Sequence, residues 1–276
     1  MPELPEVETV CRGLERSILG DKFSRITLRR KNLRFPFEPG FAEALTDKKI
    51  TRLDRRAKYI LMTLEDGTVM IGHLGMSGSF RISDGPIAEL DKHDHVVFET
   101  VKGVTVRYHD PRRFGFMLLT TADKMHAHPQ LAHIGPEPLG NAFNGPELAA
   151  RIKNRQAPIK AALLDQKTVA GVGNIYACEA LFRSHISPKR KSSSIKGKRA
   201  DTLAAAIRAV LEEAIASGGS TLRNYSQTSG ELGYFQHRFL VYDKEGSDCP
   251  NSDCGGSIER IVQSGRSTFF CPNCQR

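Results

Sequence analysis

The chain opens with Met1-Pro2-Glu3-Leu4-Pro5-Glu6, and apolar residues recur after it at helical spacing, at Val10, Leu14 and Ile18 among others. This periodicity predicts a helix with one packed face that ends at Gly20. Proline and acidic residues favour the first turn of any helix, since proline lacks the unpaired donor and carboxylates interact well with the positive end of the dipole. The opening therefore has a purely structural explanation.

The same opening also has a chemical interpretation. Removal of Met1, which a small second residue permits, would leave Pro2 with a secondary amine at the N-terminus. An α-amino group titrates near pH ~8, so a useful fraction is neutral and nucleophilic at working pH. Such an amine can attack an electrophilic carbon and lose water to form an iminium. Glu3 and Glu6 lie within one turn of it, where either carboxylate could act as general acid.

Charge narrows the class of partner. The 276 residues carry a formal net charge of +9, with a pI near 9.3. This excess favours a polyanion, with nucleic acid first and an anionic membrane surface second. No run of apolar residues approaches the ~20 needed to span a bilayer, and no signal peptide opens the chain. The expectation is a soluble, cytoplasmic protein that makes no membrane contact and acts as a monomer.

Residues 23–121 read as short β-strands separated by turn residues such as Glu65-Asp66-Gly67 and Lys102-Gly103. This spacing predicts an antiparallel sandwich or barrel. Residues 133–140 are rich in proline and glycine and predict a linker between domains. Beyond it the pattern turns helical, with helices predicted at 146–154, 158–165, 174–184 and 199–217.

Three connections in the second half could touch a ligand. Gly171-Val172-Gly173-Asn174 precedes a helix and could present backbone amides to a phosphate, although a tight turn would also need the glycines. Residues 189–199 are basic and serine-rich and predict a mobile surface loop with DNA contact as an addition. Residues 226–234 predict a flexible loop able to close over a substrate.

The C-terminal cysteines give the strongest metal signal. Cys249-x4-Cys254 and Cys271-x2-Cys274 supply two close ligand pairs around a predicted hairpin. Four thiolates suit one closed, tetrahedral, structural zinc, and two disulfides are the alternative in an exported protein. A closed shell leaves no position for substrate. The metal would therefore fold the hairpin and hold Arg266 at its tip.

Several polar or exposed residues interrupt the sheet pattern. Lys58 directly precedes a strand, where a solvated lysine or a second active-site cation are both possible. Met76 lies between two glycines and could be filler or a wedge in a base stack, and Arg112 with Phe114 forms a pair suited to insertion into DNA. His93 lies two residues before a second histidine, an arrangement that favours phosphate contact or plain surface over metal binding.

Taken together, these segments resemble the formamidopyrimidine-DNA glycosylase family. The resemblance rests on seven motifs in order: Pro2-Glu3-Leu4-Pro5-Glu6-Val7-Glu8-Thr9, Arg56-Ala57-Lys58-Tyr59, His73-Leu74-Gly75-Met76-Ser77-Gly78, Lys92-His93-Asp94-His95, Asp110-Pro111-Arg112-Arg113-Phe114-Gly115, Gly171-Val172-Gly173-Asn174-Ile175-Tyr176-Ala177 and the four-cysteine finger. One departure is that the family finger usually opens with Cys-x2-Cys, whereas four residues separate the first pair here. That longer loop still lies within zinc-ligand spacing.

The resemblance implies an α+β multidomain fold. An N-terminal helix and antiparallel β-sandwich would form a catalytic domain at 1–133, followed by a linker at 134–146. A helix-two-turn-helix domain would occupy 147–240, and a zinc-finger β-hairpin 241–276. The partner would be double-stranded DNA containing oxidised purines such as 8-oxoguanine and formamidopyrimidines, processed by a base-excision-repair glycosylase that also cleaves abasic sites by β,δ-elimination.

The resemblance also implies residue roles. Pro2 would be the nucleophile and Schiff-base former, and Glu3 would protonate the sugar-ring oxygen. Lys58 would be the proton donor in β-elimination, and Arg266 would serve δ-elimination and phosphate binding. The remaining DNA contacts would be His93, Arg112, Arg155, Lys160 and Asn174, with Met76, Arg112 and Phe114 filling the gap left by the extruded nucleotide.

Two alternatives remain open from the sequence. A sister branch resembling endonuclease VIII prefers oxidised pyrimidines, although the Leu4-Pro5 opening and the pair of Arg112 and Phe114 favour the purine branch. From a different class, the chain could be a catalytically silent DNA-binding zinc protein. In such a protein Pro2→Gly would have no effect on function, and the presence of Glu3 and Lys58 together with the proline would have no explanation.

Overall fold

A computed structural model of the protein describes residues 1–85, 87, 89–220 and 233–276. The chain forms two compact units. The N-terminal unit comprises Met1–Ala132 with Ser217–Tyr234, and the C-terminal unit comprises His133–Ala216 with Phe235–Arg276. Most of the loop predicted at 226–234 lies outside the described residues. Among those described, no helix is both long and apolar enough to cross a bilayer.

The N-terminal unit confirms the predicted helix and antiparallel β-sandwich. One sheet has the strand order β1-β6-β7-β5 and the other β2-β3-β4-β8, and every pairing is antiparallel. The elements are α1 (Leu4–Ile18), β1 (Phe23–Leu28), α2 (Phe41–Leu45), β2 (Ile50–Arg56), β3 (Tyr59–Leu64), β4 (Thr68–His73), β5 (Ser79–Asp84), β6 (Asp94–Thr100), β7 (Val104–His109) and β8 (Phe116–Thr121). Side chains from both sheets share one core.

Helix α1 packs its apolar stripe into that core. Val10, Leu14 and Ile18 are at most 1% exposed and join the cluster formed by the two sheets. The helix begins with a capping box in which Glu3 and Glu6 exchange side-chain and backbone bonds. The acids of the opening therefore fix where the helix starts.

The C-terminal unit contains four helices and a hairpin among its described residues. They are α3 (Gly145–Ile152), α4 (Ile159–Leu164), α5 (Asn174–Arg183), α6 (Lys198–Ala216), β9 (Glu259–Gln263) and β10 (Arg266–Phe270). Each helix lies within two residues of its predicted bounds. The Asn144 side chain caps α3 by accepting from the Glu147 backbone N–H at 2.9 Å.

Residues 189–199 depart from the prediction of a mobile loop. Ser192 and Ile195 are at most 1% exposed. The Ser192 backbone N–H and hydroxyl both donate to the Ala157 carbonyl, at 3.0 and 2.7 Å, and the Arg190 carbonyl accepts from the Ile159 N–H at 2.8 Å. The basic composition suggested mobility, but the small serines let this segment dock against the start of α4.

Candidate active site and DNA-binding surface

The start of α1 holds Pro2, Glu3 and Glu6, all buried, while Met1 is 46% exposed. Glu6 Oε2 accepts from the Glu3 backbone N–H at 2.8 Å. Glu6 Oε1 accepts from the Ser220 backbone N–H at 2.8 Å and from its hydroxyl at 3.0 Å. Both carboxylate oxygens of Glu6 therefore accept hydrogen bonds from backbone N–H groups. Of the two acids predicted as proton donors, Glu6 instead fixes the geometry around Pro2.

Lys58 lies in the tight turn between β2 and β3 and is 6% exposed. Ala57 before it adopts a left-handed conformation with φ +53. Arg55 donates to the Ala57 carbonyl at 3.0 Å and to Glu8 Oε2 at 2.9 Å. Since Glu8 belongs to α1, this ion pair fastens the turn that carries Lys58 to the helix that begins after Pro2.

His73 is a residue that the sequence motif contained but to which no role was assigned. Burial, and secondly the positive charges of Lys58 and Arg34, lower the pKa of His73 to about 4. Its Nδ1 accepts from the Gly75 backbone N–H at 3.0 Å, and its ring stacks on Phe116 with centroids 5.1 Å apart. The neutral imidazole therefore supports the loop that leads to the predicted wedge residue.

Two exposed apolar side chains project from neighbouring loops. Met76 is 40% and Phe114 is 43% exposed, and the Arg112 guanidinium lies 4.8 Å from the centre of the Phe114 ring. The structure thus brings all three predicted gap-filling residues onto these two loops. Arg112 and Phe114 also line a surface groove of about 550 Å³.

A buried carboxylate joins the two loops, and sequence reasoning missed it. Asp110, with no exposed surface, accepts from the Ser77 hydroxyl at 2.5 Å and from the Gly115 N–H at 2.9 Å. The Ser77 oxygen in turn accepts from the Arg112 N–H at 3.1 Å. Gly75 has φ +62, and a Cβ there would collide with the Gly115 backbone nitrogen. The loops therefore pack backbone against backbone, and the serine in one motif and the aspartate in the other were the only signal of the link in the sequence.

His93 is half-buried at the start of β6. Its backbone N–H donates to Asp91 Oδ1 at 2.7 Å, and its carbonyl accepts from the Asp110 N–H at 3.0 Å. His95 is buried and bonds the Asp110 carbonyl through Nε2 at 2.9 Å. Of the two histidines, His95 is buried and structural, and His93 is the more exposed. Across the described residues, the cysteine cluster is the only group with metal-site spacing.

In the C-terminal unit, Lys160 and Asn174 converge on one carbonyl. Lys160 Nζ donates to Ser267 O at 3.0 Å and to Thr268 Oγ1 at 2.6 Å, and Asn174 Nδ2 donates to Ser267 O at 3.0 Å. Lys160 has no exposed surface. These bonds hold the residue next to Arg266, which is exposed at the hairpin tip.

Arg155, the predicted DNA contact with the weakest match to a family motif, forms an ion pair with Asp165. Its Nη1 lies 2.7 Å from Asp165 Oδ2, with both side chains about one-third exposed. Part of its charge is therefore neutralised within the C-terminal unit itself.

Glu179 is a second buried carboxylate that the sequence did not single out. It has no exposed surface and accepts from three successive backbone N–H groups, those of Leu240, Val241 and Tyr242, at 2.9–3.0 Å. Asn174 Nδ2 also lies 3.4 Å from the Tyr242 hydroxyl. Glu179 thus positions the chain that leads into the finger.

The four cysteines fit a structural zinc. A tetrahedron with Zn–S distances of about 2.3 Å has S–S edges of about 3.8 Å. The Sγ atoms of Cys249 and Cys274 are 3.7 Å apart, those of Cys254 and Cys271 are 3.5 Å apart, and all four lie within 4.8 Å of one another. The Cys-x4-Cys loop therefore still closes a tetrahedral site, which holds one structural zinc.

Comparisons with known proteins cover nearly the whole chain. Family models match residues 1–117 (formamidopyrimidine-DNA glycosylase N-terminal domain), 134–226 (formamidopyrimidine-DNA glycosylase H2TH domain) and 246–276 (zinc finger found in FPG and IleRS). Curated proteins named formamidopyrimidine-DNA glycosylase from Rhodopseudomonas palustris (strain TIE-1) and Rhodospirillum rubrum are 53% and 55% identical, each over 100% of both chains.

Solved structures show the same fold. The MutM (FPG) protein of Thermus thermophilus is 42% identical, with a TM-score of 0.88 over 99% of this chain and 98% of that one. The Lactococcus lactis Fpg in complex with DNA containing an abasic site is 35% identical, with a TM-score of 0.90 over 99% of both chains. Another Lactococcus lactis complex contains Fapy-dG DNA and is 36% identical, with a TM-score of 0.90 over 100% of both chains.

Proposed function

Because the chain belongs to the formamidopyrimidine-DNA glycosylase family, we propose that Pro2, after removal of Met1, is the nucleophile with which this enzyme releases oxidised purines. The enzyme is a base-excision-repair DNA glycosylase and an abasic-site lyase. Its substrate is duplex DNA containing 8-oxoguanine or formamidopyrimidine lesions. The observation that carries the residue assignment is the buried start of α1, where the capping box places Glu3 beside Pro2.

The proposed chemistry begins at the anomeric carbon of the damaged nucleotide. The Pro2 nitrogen attacks C1′, the glycosidic bond breaks, and the base leaves with the bonding electrons and takes up the proton that the nitrogen loses. Glu3 protonates the ring oxygen, which opens the sugar and leaves an iminium between C1′ and Pro2. Glu6 touches none of these atoms in the proposal. It holds the Glu3 backbone and Ser220 in place through its two oxygens.

Strand cleavage follows from the same intermediate. The iminium withdraws electrons and acidifies the neighbouring carbon, so that elimination expels the 3′ phosphate. Lys58 is the proposed proton donor in this β-elimination, since its turn is fastened to α1 through Arg55 and Glu8. Arg266, exposed on the finger hairpin, is the proposed partner for the second, δ-elimination.

The remaining residues would grip DNA. Extruding a nucleotide costs a few kcal/mol, and side chains in the vacated stack offset it. Met76, Arg112 and Phe114 are the proposed occupants, supported by their exposure on loops that Asp110 holds together.

Phosphate contacts are proposed for His93, Asn174 and Arg155, and for Lys160 within the same group. Because Lys160 is buried and donates to the Ser267 carbonyl, as Asn174 also does, its proposed effect on phosphate is indirect and acts through the position of the hairpin. Arg155 would act on phosphate while retaining Asp165 as its partner. These contacts act on the nucleoid DNA of a bacterial cytoplasm, with one chain per lesion. Size-exclusion chromatography with light scattering would test the monomer.

The deciding experiment is borohydride trapping on a duplex with one 8-oxoguanine opposite cytosine, followed by peptide mapping. We expect one covalent adduct, on Pro2 of the protein that lacks Met1. Pro2→Gly should trap far less, whereas Pro5→Ala, a matched change three residues along, should trap like the wild type. An adduct on Lys58, or no adduct with DNA binding intact, would overturn the assignment. Competition by oxidised pyrimidines would measure the purine preference.

A further inference from the structure

One strongly basic segment of the chain has no role in the proposed function. The chain has 40 lysines and arginines against 31 acids, an excess of nine. Residues 189–199, the basic segment, contribute six cations and no acid: Lys189, Arg190, Lys191, Lys196, Lys198 and Arg199. Mutual repulsion opposes such a cluster, so its presence on an ordered surface calls for a polyanionic partner.

The basic segment is packed against the rest of the C-terminal unit. Ser192 and Ile195 are buried, and hydrogen bonds to Ala157 and Ile159 pin the segment to the start of α4. The Lys189 ammonium lies 4.8 Å from the centre of the Phe270 ring. These anchors fix the backbone and one of the charges before any ligand binds, which reduces the entropy lost on binding.

The anchored segment forms one wall of a groove of about 590 Å³. The lining residues, here called the basic groove, are Ser187, Lys189, Arg190, Lys191, Ser194, Gln275 and Arg276. Four carry cationic side chains, and none carries a carboxylate side chain. Arg190 Nε donates to the Arg276 carbonyl at 3.1 Å, which ties the two sides of the groove together. Guanidinium, ammonium and hydroxyl donors on one face match a phosphodiester backbone.

The basic groove is separate from the proposed lesion contacts but continuous with them. Arg266 begins β10, whereas Lys189 lies over Phe270 at its other end, four residues away. Four residues of strand span about 13 Å, the length of about four base pairs along one DNA strand. The Arg190 carbonyl bonds Ile159, the neighbour of Lys160, so both surfaces share the start of α4.

We propose that the basic groove binds the phosphate backbone of the duplex that flanks the lesion, a second contact that rests on the proposed function. Charge complementarity and continuity with the start of α4 favour flanking DNA over an acidic protein segment. Flanking contacts would raise affinity for any sequence, which suits an enzyme that searches undamaged DNA.

The test compares a groove variant, K189Q/K191Q, with a matched control, K22Q/K102Q. The control removes the same charge from exposed positions of the N-terminal unit. Dissociation constants would be measured by anisotropy over a range of KCl concentrations. The short duplex would carry about three base pairs on each side of the lesion and the long duplex about twelve, with the strands joined by an uncharged linker. The short duplex would not reach the basic groove, because about four base pairs separate the groove from Arg266.

On the long duplex the groove variant should bind at least tenfold more weakly at low salt. Its slope of log K against log salt should fall by about 0.9 for each phosphate that the protein no longer neutralises. On the short duplex it should bind within threefold of the wild type, as should the control on both duplexes. Equal losses on both lengths, an equal loss in the control, or an unchanged slope would each overturn the proposal.

Trapping separates this proposal from the proposed function. At saturating enzyme, the groove variant should give the wild-type yield of borohydride adduct on Pro2. A loss of that adduct at saturation would place the basic segment in the catalytic machinery and overturn the flanking role. Failure of wild-type trapping would overturn the nucleophile assignment and leave the binding comparison intact.

Discussion

Replacement of Ser77 by alanine isolates the link between the loops that carry Met76 and Phe114. The change removes the 2.5 Å bond to Asp110 and the 3.1 Å bond that the Ser77 oxygen accepts from the Arg112 N–H. A hydrogen bond to a buried carboxylate contributes about 1.5–3 kcal/mol and a neutral one about 1 kcal/mol. The variant should therefore lose about 2.5–4 kcal/mol of stability and still fold.

The functional consequence should be selective for the extrusion step. If about half of that energy holds the wedge residues in place, lesion excision should slow about 10- to 30-fold. Cleavage of a preformed abasic site has no base to extrude and should change by less than threefold. Single-turnover rates on 8-oxoguanine and abasic duplexes measure both. Ser79→Ala, at a residue equally buried at 3%, is the matched control.

Two results would refute this reasoning. Equal slowing on the lesion and on the abasic site would show that the loops support catalysis generally. Unchanged excision in a variant with the expected loss of stability would show that Ser77 serves only the fold.

Four further predictions concern single residues outside the link between the two loops. The His73 pKa of about 4 lies below the unfolded value of about 6.5, so the native state binds fewer protons than the unfolded state. The free energy of unfolding should therefore be highest above pH 6.5 and fall by about 2–3 kcal/mol towards pH 4.5. Urea titrations of His73→Asn should not show this loss. Gly75→Ala should lower the melting temperature by several degrees, because the new Cβ would collide with the Gly115 backbone nitrogen at a left-handed φ. Cys254→Ser should reduce bound zinc, measured by mass spectrometry, and should slow δ-elimination more than β-elimination. Glu179→Gln keeps the shape but loses the charge that accepts three backbone N–H groups, and it should weaken abasic-DNA binding about tenfold without changing zinc content.

Local patterns predicted the elements well. Helical periodicity located α1 and the four helices of the C-terminal unit within about two residues. Strand alternation predicted an antiparallel sandwich or barrel, and the structure has two antiparallel sheets. Cysteine spacing predicted a zinc site that the sulfur distances fit. These signals depend on residues close in sequence, where the repeat of the element or the reach of a ligand sets the spacing.

Contacts between distant residues were not predictable in the same way. Glu6 looked like a possible acid catalyst until the structure paired it with Ser220, 214 positions along the chain. Lys160, which remains a proposed phosphate contact, donates to the carbonyl of Ser267, 107 residues away, a partner that its motif did not indicate. A polar side chain in a motif predicts that it forms a hydrogen bond, but the partner atom is determined by the fold.

The backbone contact between Gly75 and Gly115 separates the parts of the wedge that can vary from those that cannot. Neither position tolerates a Cβ, whereas the side chains of Met76 and Phe114 project outward with about two-fifths of their surface exposed. A combinatorial library at those two positions would therefore vary the side chains proposed to enter the DNA helix without disturbing the two loops that carry them. Two of the three proposed gap-filling side chains can therefore be changed independently of the fold that carries them.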